Sequence, residues 1–176
     1  MAGAPEDRKA EYRAQWHRSI EEVPQALWDS LALPMESFVL EWHWLHELER
    51  SGSVQPQTGW LPLHLTIWKG DELAAAAPLY VKSHSEGEFV WDYALAEVAD
   101  RIGSPYYPKL IGMSPATPVP GYRFLIAPGQ DEEVLTSIAL SCIDRLCRDS
   151  RLGGVAFNYV DPSFRQRLQM RGFLPW

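Results

Sequence analysis

His64-Leu65-Thr66-Ile67-Trp68, then Lys69-Gly70-Asp71-Glu72, then Leu73 to Val81, is the stretch that decides the fold. The first five residues alternate as a strand does, the next four carry turn chemistry, and the run from Leu73 resumes as a second strand. The segment therefore reads as a β-hairpin. Upstream, Val23-Pro24-Gln25 leads into Ala26, Leu27 and Leu31, a short helix with proline in its first turn. Ser37 is placed to cap a second helix, Phe38 to Arg50, that stops at Ser51-Gly52, with Phe38, Trp42, Leu45 and Leu48 on one stripe.

Downstream, Asp92 reads as the cap of a helix through Ala94, Leu95, Val98, Ala99 and Ile102, closed by Gly103. Tyr107 to Ile111 and Tyr122 to Ile126 read as strands. Between them Pro115, Pro118 and Pro120 forbid regular ladder pairing and stiffen the loop, a reasonable place to hold a ligand. Asp131-Glu132-Glu133 opens the clearest helix, with Val134, Leu135, Ile138, Cys142 and Leu146 on its buried face. Gly153-Gly154 breaks it, Val155 to Val160 is a strand, and Pro162 starts a helix ending at Arg171-Gly172. Phe173 to Trp176 looks like the entry to another strand. Helices, hairpin, helix, strands, helix, strand, helix is an α/β order around a mixed central sheet with helices on both faces.

The 176 residues suit one domain or one lobe of a larger protein, and 46% hydrophobic with 22% charged residues permits a real core. Eight Trp and seven Tyr exceed what a core of this size absorbs, so some rings line a surface. A net charge of -7 with a pI near 5.2 argues against broad binding to nucleic acid or anionic membranes. The acidic N-terminus lacks the apolar core of a signal peptide, and the apolar stretches are too short for a bilayer, which points to the cytoplasm. Residues 1–18, charged and weakly periodic, read as a lead-in. Cys142 and Cys147 lie about 140° apart around their helix, so they neither bridge easily nor imitate a CxxC motif, and they read as buried structural thiols.

Three constellations carry chemistry. His43 and His46 lie three apart beside Glu47, a metal-ligand spacing, but HEXXH needs four and no third ligand stands nearby; a wet helix face is the plainer reading. Lys82-Ser83-His84-Ser85-Glu86-Gly87-Glu88 packs an imidazole, hydroxyls and carboxylates into seven residues. His84 or Glu86 is placed to serve as general base toward an amine or hydroxyl, whereas the plain alternative is a solvated polar loop. Tyr106-Tyr107-Pro108-Lys109 sets two rings beside a cation able to pair with carboxylate or phosphate, and strand alternation would turn one ring to the core and the other outward. No GxSxG, GxGxxG or GxxxxGK occurs, so hydrolase and nucleotide chemistry lack a motif.

The sequence resembles the FemAB-like family of predicted N-acyltransferases, relatives of the GNAT superfamily associated with peptidoglycan biosynthesis and recognition. Ser37-Phe38, Leu48 to Gly52, Thr58-Gly59-Trp60 and Pro62 to Leu65 carry the resemblance, as do Pro78 to Asp92, Tyr106 to Leu110, Thr117 to Arg123 and Arg171 to Pro175. It implies a GNAT-like lobe over residues 19–176 and acyl or aminoacyl transfer to an amine in the splay between central strands. It also implies a protein about twice this length with a second similar lobe. On that reading this lobe is truncated at its C-terminus and inactive alone.

Under the resemblance His84 and Glu86 are the catalytic candidates. Lys82, Glu88, Asp92, Tyr106, Tyr107, Lys109, Thr117 and Arg123 are the substrate-binding ones, with no metal. No tightly bound cofactor is expected, and the acyl donor is either acyl-CoA or aminoacyl-tRNA. GNAT relatives hold a pyrophosphate on a glycine-rich helix start; here Ala127 to Glu133 offers one glycine and three carboxylates, which suit the helix dipole but repel phosphate. The expected partner is a small-molecule or glycan-peptide substrate, with tRNA held through the other half of the protein. The competing reading, from the aromatic surplus and the stiff loop, is a recognition module that binds a glycan-peptide or protein partner without chemistry.

Overall fold

The computed structural model describes residues 12–86, 90 and 92–175. Its frame is the expected hairpin, longer and more bent than the sequence implies. β3 (His64–Lys69) and β4 (Glu72–Ala77) pair antiparallel around Gly70, whose φ of 59° is the left-handed backbone the turn needs. The second strand does not run on to Val81. Pro78 has no N–H to donate and interrupts it, and the chain re-enters pairing as β5 (Tyr80–Lys82). β2 (Trp60–Pro62) ends opposite, at its own proline.

Both arms thus cross from one sheet to the other at the same level, without losing register. Leu65 faces Ala77 in one sheet, Trp60 faces Lys82 in the other, and the Leu63 N–H donates to the Leu79 carbonyl at the corner. One bent hairpin therefore supplies two strands to each of two four-stranded sheets, β1-β3-β4-β7 and β2-β5-β6-β8. β1 (Tyr12–His17), expected as part of the lead-in, pairs antiparallel with β3 as the edge of the first sheet; β7 (Leu125–Ile126) closes its other side. In the second sheet β6 (Lys109–Gly112) pairs antiparallel with β5 and parallel with β8 (Val155–Phe157).

α1 (Gln25–Ala32) forms where expected, with Pro24 as its N-cap residue rather than inside its first turn. α2 (Trp42–Arg50) does not begin at Phe38: Phe38–Leu40 is a single 3-10 turn and Glu41 is extended. The start is fixed by tertiary contact, because Asp29 of α1 accepts from the Trp42 N–H at 2.9 Å and the Trp42 indole donates to the Ile20 and Val23 carbonyls. Phe38 accordingly falls off the buried stripe and is 54% exposed. α3 (Tyr93–Arg101) has no buried residue, whereas α4 (Glu132–Asp149) buries Leu135, Thr136, Ile138, Ala139 and Ile143. α5 (Pro162–Met170) starts at its proline, and Phe173 to Pro175 are not in a strand. The main core lies where α1, α2, α4 and α5 meet the sheets; a smaller cluster of Val54, Trp60, Tyr80, Ile111 and Met113 covers one face of the second sheet.

Candidate functional site

Directly opposed residues in an antiparallel ladder put their side chains on the same face. Trp60, Lys82 and Lys109 are opposed in turn across β2, β5 and β6, so they form one row, and all three are buried. The two lysines turn to opposite sides. Lys82 Nζ lies 3.9 Å from the centre of the Trp60 ring, and Lys109 Nζ lies 4.1 Å from that of Tyr106. A desolvated cation over an aromatic face gains about 1–2 kcal/mol, which offsets part of the cost of burial.

Lys109 opens a network that draws in Asp92, Tyr106, Tyr107 and Ser85. Its ammonium donates to Asp92 Oδ2 and to the Tyr106 hydroxyl, and the Tyr106 hydroxyl donates to Asp92 Oδ2 at 2.9 Å. Tyr107 Oη lies 2.9 Å from Asp92 Oδ1 and 2.6 Å from Ser85 Oγ. Burial alone would raise the Asp92 carboxyl, but the bonds from Lys109, Tyr106 and Tyr107 outweigh it and hold the group below its ordinary value. Burial draws the Lys109 ammonium down against the opposing pull of Asp92. Burial, with Asp92 adding, keeps both phenols protonated: Tyr106 is raised strongly and Tyr107 is pushed up to about 12, the Ser85 contact opposing. Asp92 stands at the N-terminus of α3 as expected, yet its side chain makes no capping bond there. The two tyrosines do not divide between core and surface either. Both precede β6, so no strand alternation governs them, and both hydroxyls reach the same carboxylate.

His84 sits beside this network, half-buried, with its ring against Gly59. A Cβ at Gly59 would lie 2.7 Å from the ring, and φ there is 76°, so glycine is required twice over. His84 Nδ1 is buried without a hydrogen-bond partner among the described residues. Glu86 is exposed on the following turn. Glu88 lies outside the described residues.

Thr117 and Arg123 do not join this group. The Thr117 hydroxyl donates to the Pro115 carbonyl within the proline loop. Arg123 lies 3.5 Å from Glu132 at the start of α4, its Nε buried without a partner among the described residues. Asp131 caps α4 by accepting from the Val134 N–H at 3.1 Å. Glu132 pairs with Arg167 at 2.9 Å, and Glu133 pairs with Arg167 and Arg171. Three arginines thus pair with two of the three carboxylates of this turn, and its charge is far closer to balance than the local sequence implies.

Other polar features are structural. The His46 ring stacks on Trp42 at 4.6 Å and lies 2.8 Å from Glu21, while His43 is exposed. Among the described residues no group of three or more His, Cys, Asp or Glu side chains is arranged to hold a metal ion. His64 and Glu49 look like a catalytic dyad, but the Leu79 N–H donates to His64 Nδ1, so Nε2 carries the proton and faces Glu49 at 3.0 Å. Both ring nitrogens are consumed. Cys142 and Cys147 are unbridged and half-buried rather than fully buried, and burial, with Asp144 adding, pushes the Cys147 thiol up. Among the described residues no helix is long and apolar enough to cross a membrane. A groove of about 880 Å³ runs along β8 and α5, with Phe157, Tyr159 and Phe173 among its aromatic lining and Arg165 as its cation.

Trp60 and Ser85 are the members of the site that residue types alone do not single out. Trp60 was recoverable, because extending the hairpin register beyond the prolines sets it opposite Lys82. Ser85 stands in the polar block, but nothing in the sequence separates it from Ser83.

No curated protein matches this chain. The crystal structure of a GCN5-related N-acetyltransferase from Ralstonia eutropha JMP134 is similar in fold, with a TM-score of 0.51 at 10% identity over 94% of each chain. The family model for FemAB-like proteins, described as peptidoglycan biosynthesis/recognition, matches residues 19–176, and the chain belongs to that family.

Proposed function

We propose that this protein is an N-acyltransferase that moves an acyl or aminoacyl group onto an amine acceptor, within the peptidoglycan setting of its family. The observation that carries the reading is the convergence of Asp92, Tyr106, Tyr107 and Lys109 beside His84 and Lys82. In the proposed reaction the amine nitrogen attacks the donor carbonyl carbon. A C–N bond forms, the C–S or C–O bond to the donor breaks, and the leaving group departs with a proton. His84, or Glu86 in its place, takes the proton lost by the amine. The Asp92 network frames the acceptor side, and the donor is acyl-CoA or aminoacyl-tRNA.

The test uses protein from its full reading frame, panels of acyl-CoA and aminoacyl-tRNA donors, and amine-bearing cell-wall peptides as acceptors. Turnover is expected, and His84→Ala should lower it by roughly 10²–10⁴-fold, the usual range for a lost general base. Turnover unchanged in both His84→Ala and Glu86→Ala removes those roles. The groove along β8, rich in aromatic rings, favours a second reading as a glycan-peptide recognition module. Calorimetric binding of cell-wall fragments without turnover from any donor would select it.

A further inference from the structure

We propose that Ser85 is the positioning residue on the acceptor side of this site, presenting an oxygen lone pair rather than a proton and so selecting an N–H donor such as a primary amine. The protons of the network fix the direction of each bond. Asp92 is a carboxylate and only accepts; Lys109 and Tyr106 both donate to it. Tyr107 has one proton and two neighbours, Asp92 Oδ1 at 2.9 Å and Ser85 Oγ at 2.6 Å. A charge-assisted bond to a carboxylate is the stronger of the two, so that proton goes to Asp92. The contact with Ser85 is then a hydrogen bond only if the serine hydroxyl donates to the phenol oxygen.

The chain is therefore polarised from Ser85 through Tyr107 to Asp92, and the serine proton is committed inward. What Oγ has left to offer is acceptor capacity. Ser85 is only 5% exposed, so little water is available to meet that capacity. The neighbouring residue holds a second open position, His84 Nδ1, buried without a hydrogen-bond partner among the described residues. The backbone around the pair is fixed: the Tyr93 hydroxyl donates to the Ser85 carbonyl at 3.2 Å, and His84 is seated on Gly59. An incoming N–H finds the Ser85 lone pair as its acceptor, whereas a carboxylate finds a lone pair facing its own.

The proposal rests on the acyl-transfer reading for the role of the bound amine, but the direction of the Ser85 hydrogen bond does not depend on it. Two measurements decide it. First, difluorotyrosine at position 107 brings the phenol titration into easy range of absorbance. If Ser85 donates, Ser85→Ala removes a bond that stabilises the phenolate, and the midpoint rises by roughly 0.5–1 unit. A fall, or no change, overturns the proposal. Second, calorimetry compares Nα-acetyl-lysine methylamide with its norleucine analogue, which lacks the amine. The native protein should prefer the lysine probe at least tenfold, Ser85→Ala should lose that preference, and Ser85→Thr, which keeps the hydroxyl, should retain it. Equal binding of the two probes, or a preference surviving in Ser85→Ala, overturns it. A bound lysine probe that no donor acylates counts against the acyl-transfer reading while leaving Ser85 as the amine-positioning group.

Discussion

Lys82 and Lys109 stand directly opposite each other on β5 and β6, two buried ammonium groups on one face of the same sheet. Like charges opposed in a ladder are destabilising, and the fold separates them by turning one to Trp60 and the other to Asp92. Each charge is tolerated because of a group supplied by a different part of the chain. That arrangement makes the site stability-sensitive, and the sensitivity is measurable.

Removing one member of the Asp92–Lys109 pair leaves the other buried and uncompensated. Lys109→Met should destabilise by about 3–5 kcal/mol, and Asp92→Asn by a similar amount, read from urea unfolding. The double variant should recover much of the loss, because no lone charge then remains. A double variant as unstable as the sum of the singles would show that the pair is not coupled.

Gly59 separates backbone strain from steric clash. Gly59→Ala must accept a left-handed φ of 76° and a Cβ 2.7 Å from the His84 ring, whereas Gly129→Ala meets a similar φ of 80° with nothing within 4 Å. Gly129→Ala should cost about 1 kcal/mol, the backbone component alone. Gly59→Ala should cost clearly more, in the region of 2–3 kcal/mol, and should displace His84. Thermal unfolding of both, with the His84 ring followed by NMR, checks the difference.

How far the sequence could be read depends on the distance over which each feature is determined. The hairpin was legible because strand alternation and turn residues are local, and even its bend is written in Pro62 and Pro78. The helix starts at Asp131 and Pro162 were legible for the same reason, and the structure caps them with Asp131 and Asp161, each bonding N–H groups two or three residues on. Asp92 obeys the same local pattern and does something else. Its partners lie 14, 15 and 17 residues away, across a helix and a loop, and no local rule reports them. The start of α2 departs from its local pattern in the same way, since Asp29 sets it from 13 residues away. Residue types put Lys82, His84, Asp92, Tyr106, Tyr107, Lys109, Thr117 and Arg123 in one group; the structure bonds Asp92, Tyr106, Tyr107 and Lys109 to one another and Thr117 and Arg123 to other partners, and nothing local reports that division.

That contrast is itself testable. Asp161→Ala removes a cap whose oxygen accepts from the Ser163 N–H at 2.8 Å, and should cost about 1 kcal/mol with the loss confined to α5. Asp92→Ala occupies the equivalent position on α3 yet should cost several times as much, because it strands Lys109. Hydrogen exchange should show deprotection spreading to β6 in Asp92→Ala and staying within α5 in Asp161→Ala. Equal costs would mean that Asp92 acts merely as a cap.

Acid sensitivity should arise at the other sheet. His17 and His64 are opposed in register on β1 and β3, both buried. His17 lies 2.8 Å from the Thr66 hydroxyl and 3.4 Å from Glu22. Burial lowers its pKa below the ordinary 6.5, against the opposing pull of Glu22. The folded state then binds fewer protons than the unfolded chain between that lowered value and 6.5, so stability rises with pH across this window. The contribution is complete above pH 6.5 and is lost as the pH falls through the window. Urea midpoints should therefore drop progressively from pH 7.5 to pH 5, and His17→Gln, which removes the titrating group while keeping polar atoms, should flatten that slope while lowering the midpoint at pH 7.5. An unchanged slope in the variant would place the acid-sensitive group elsewhere.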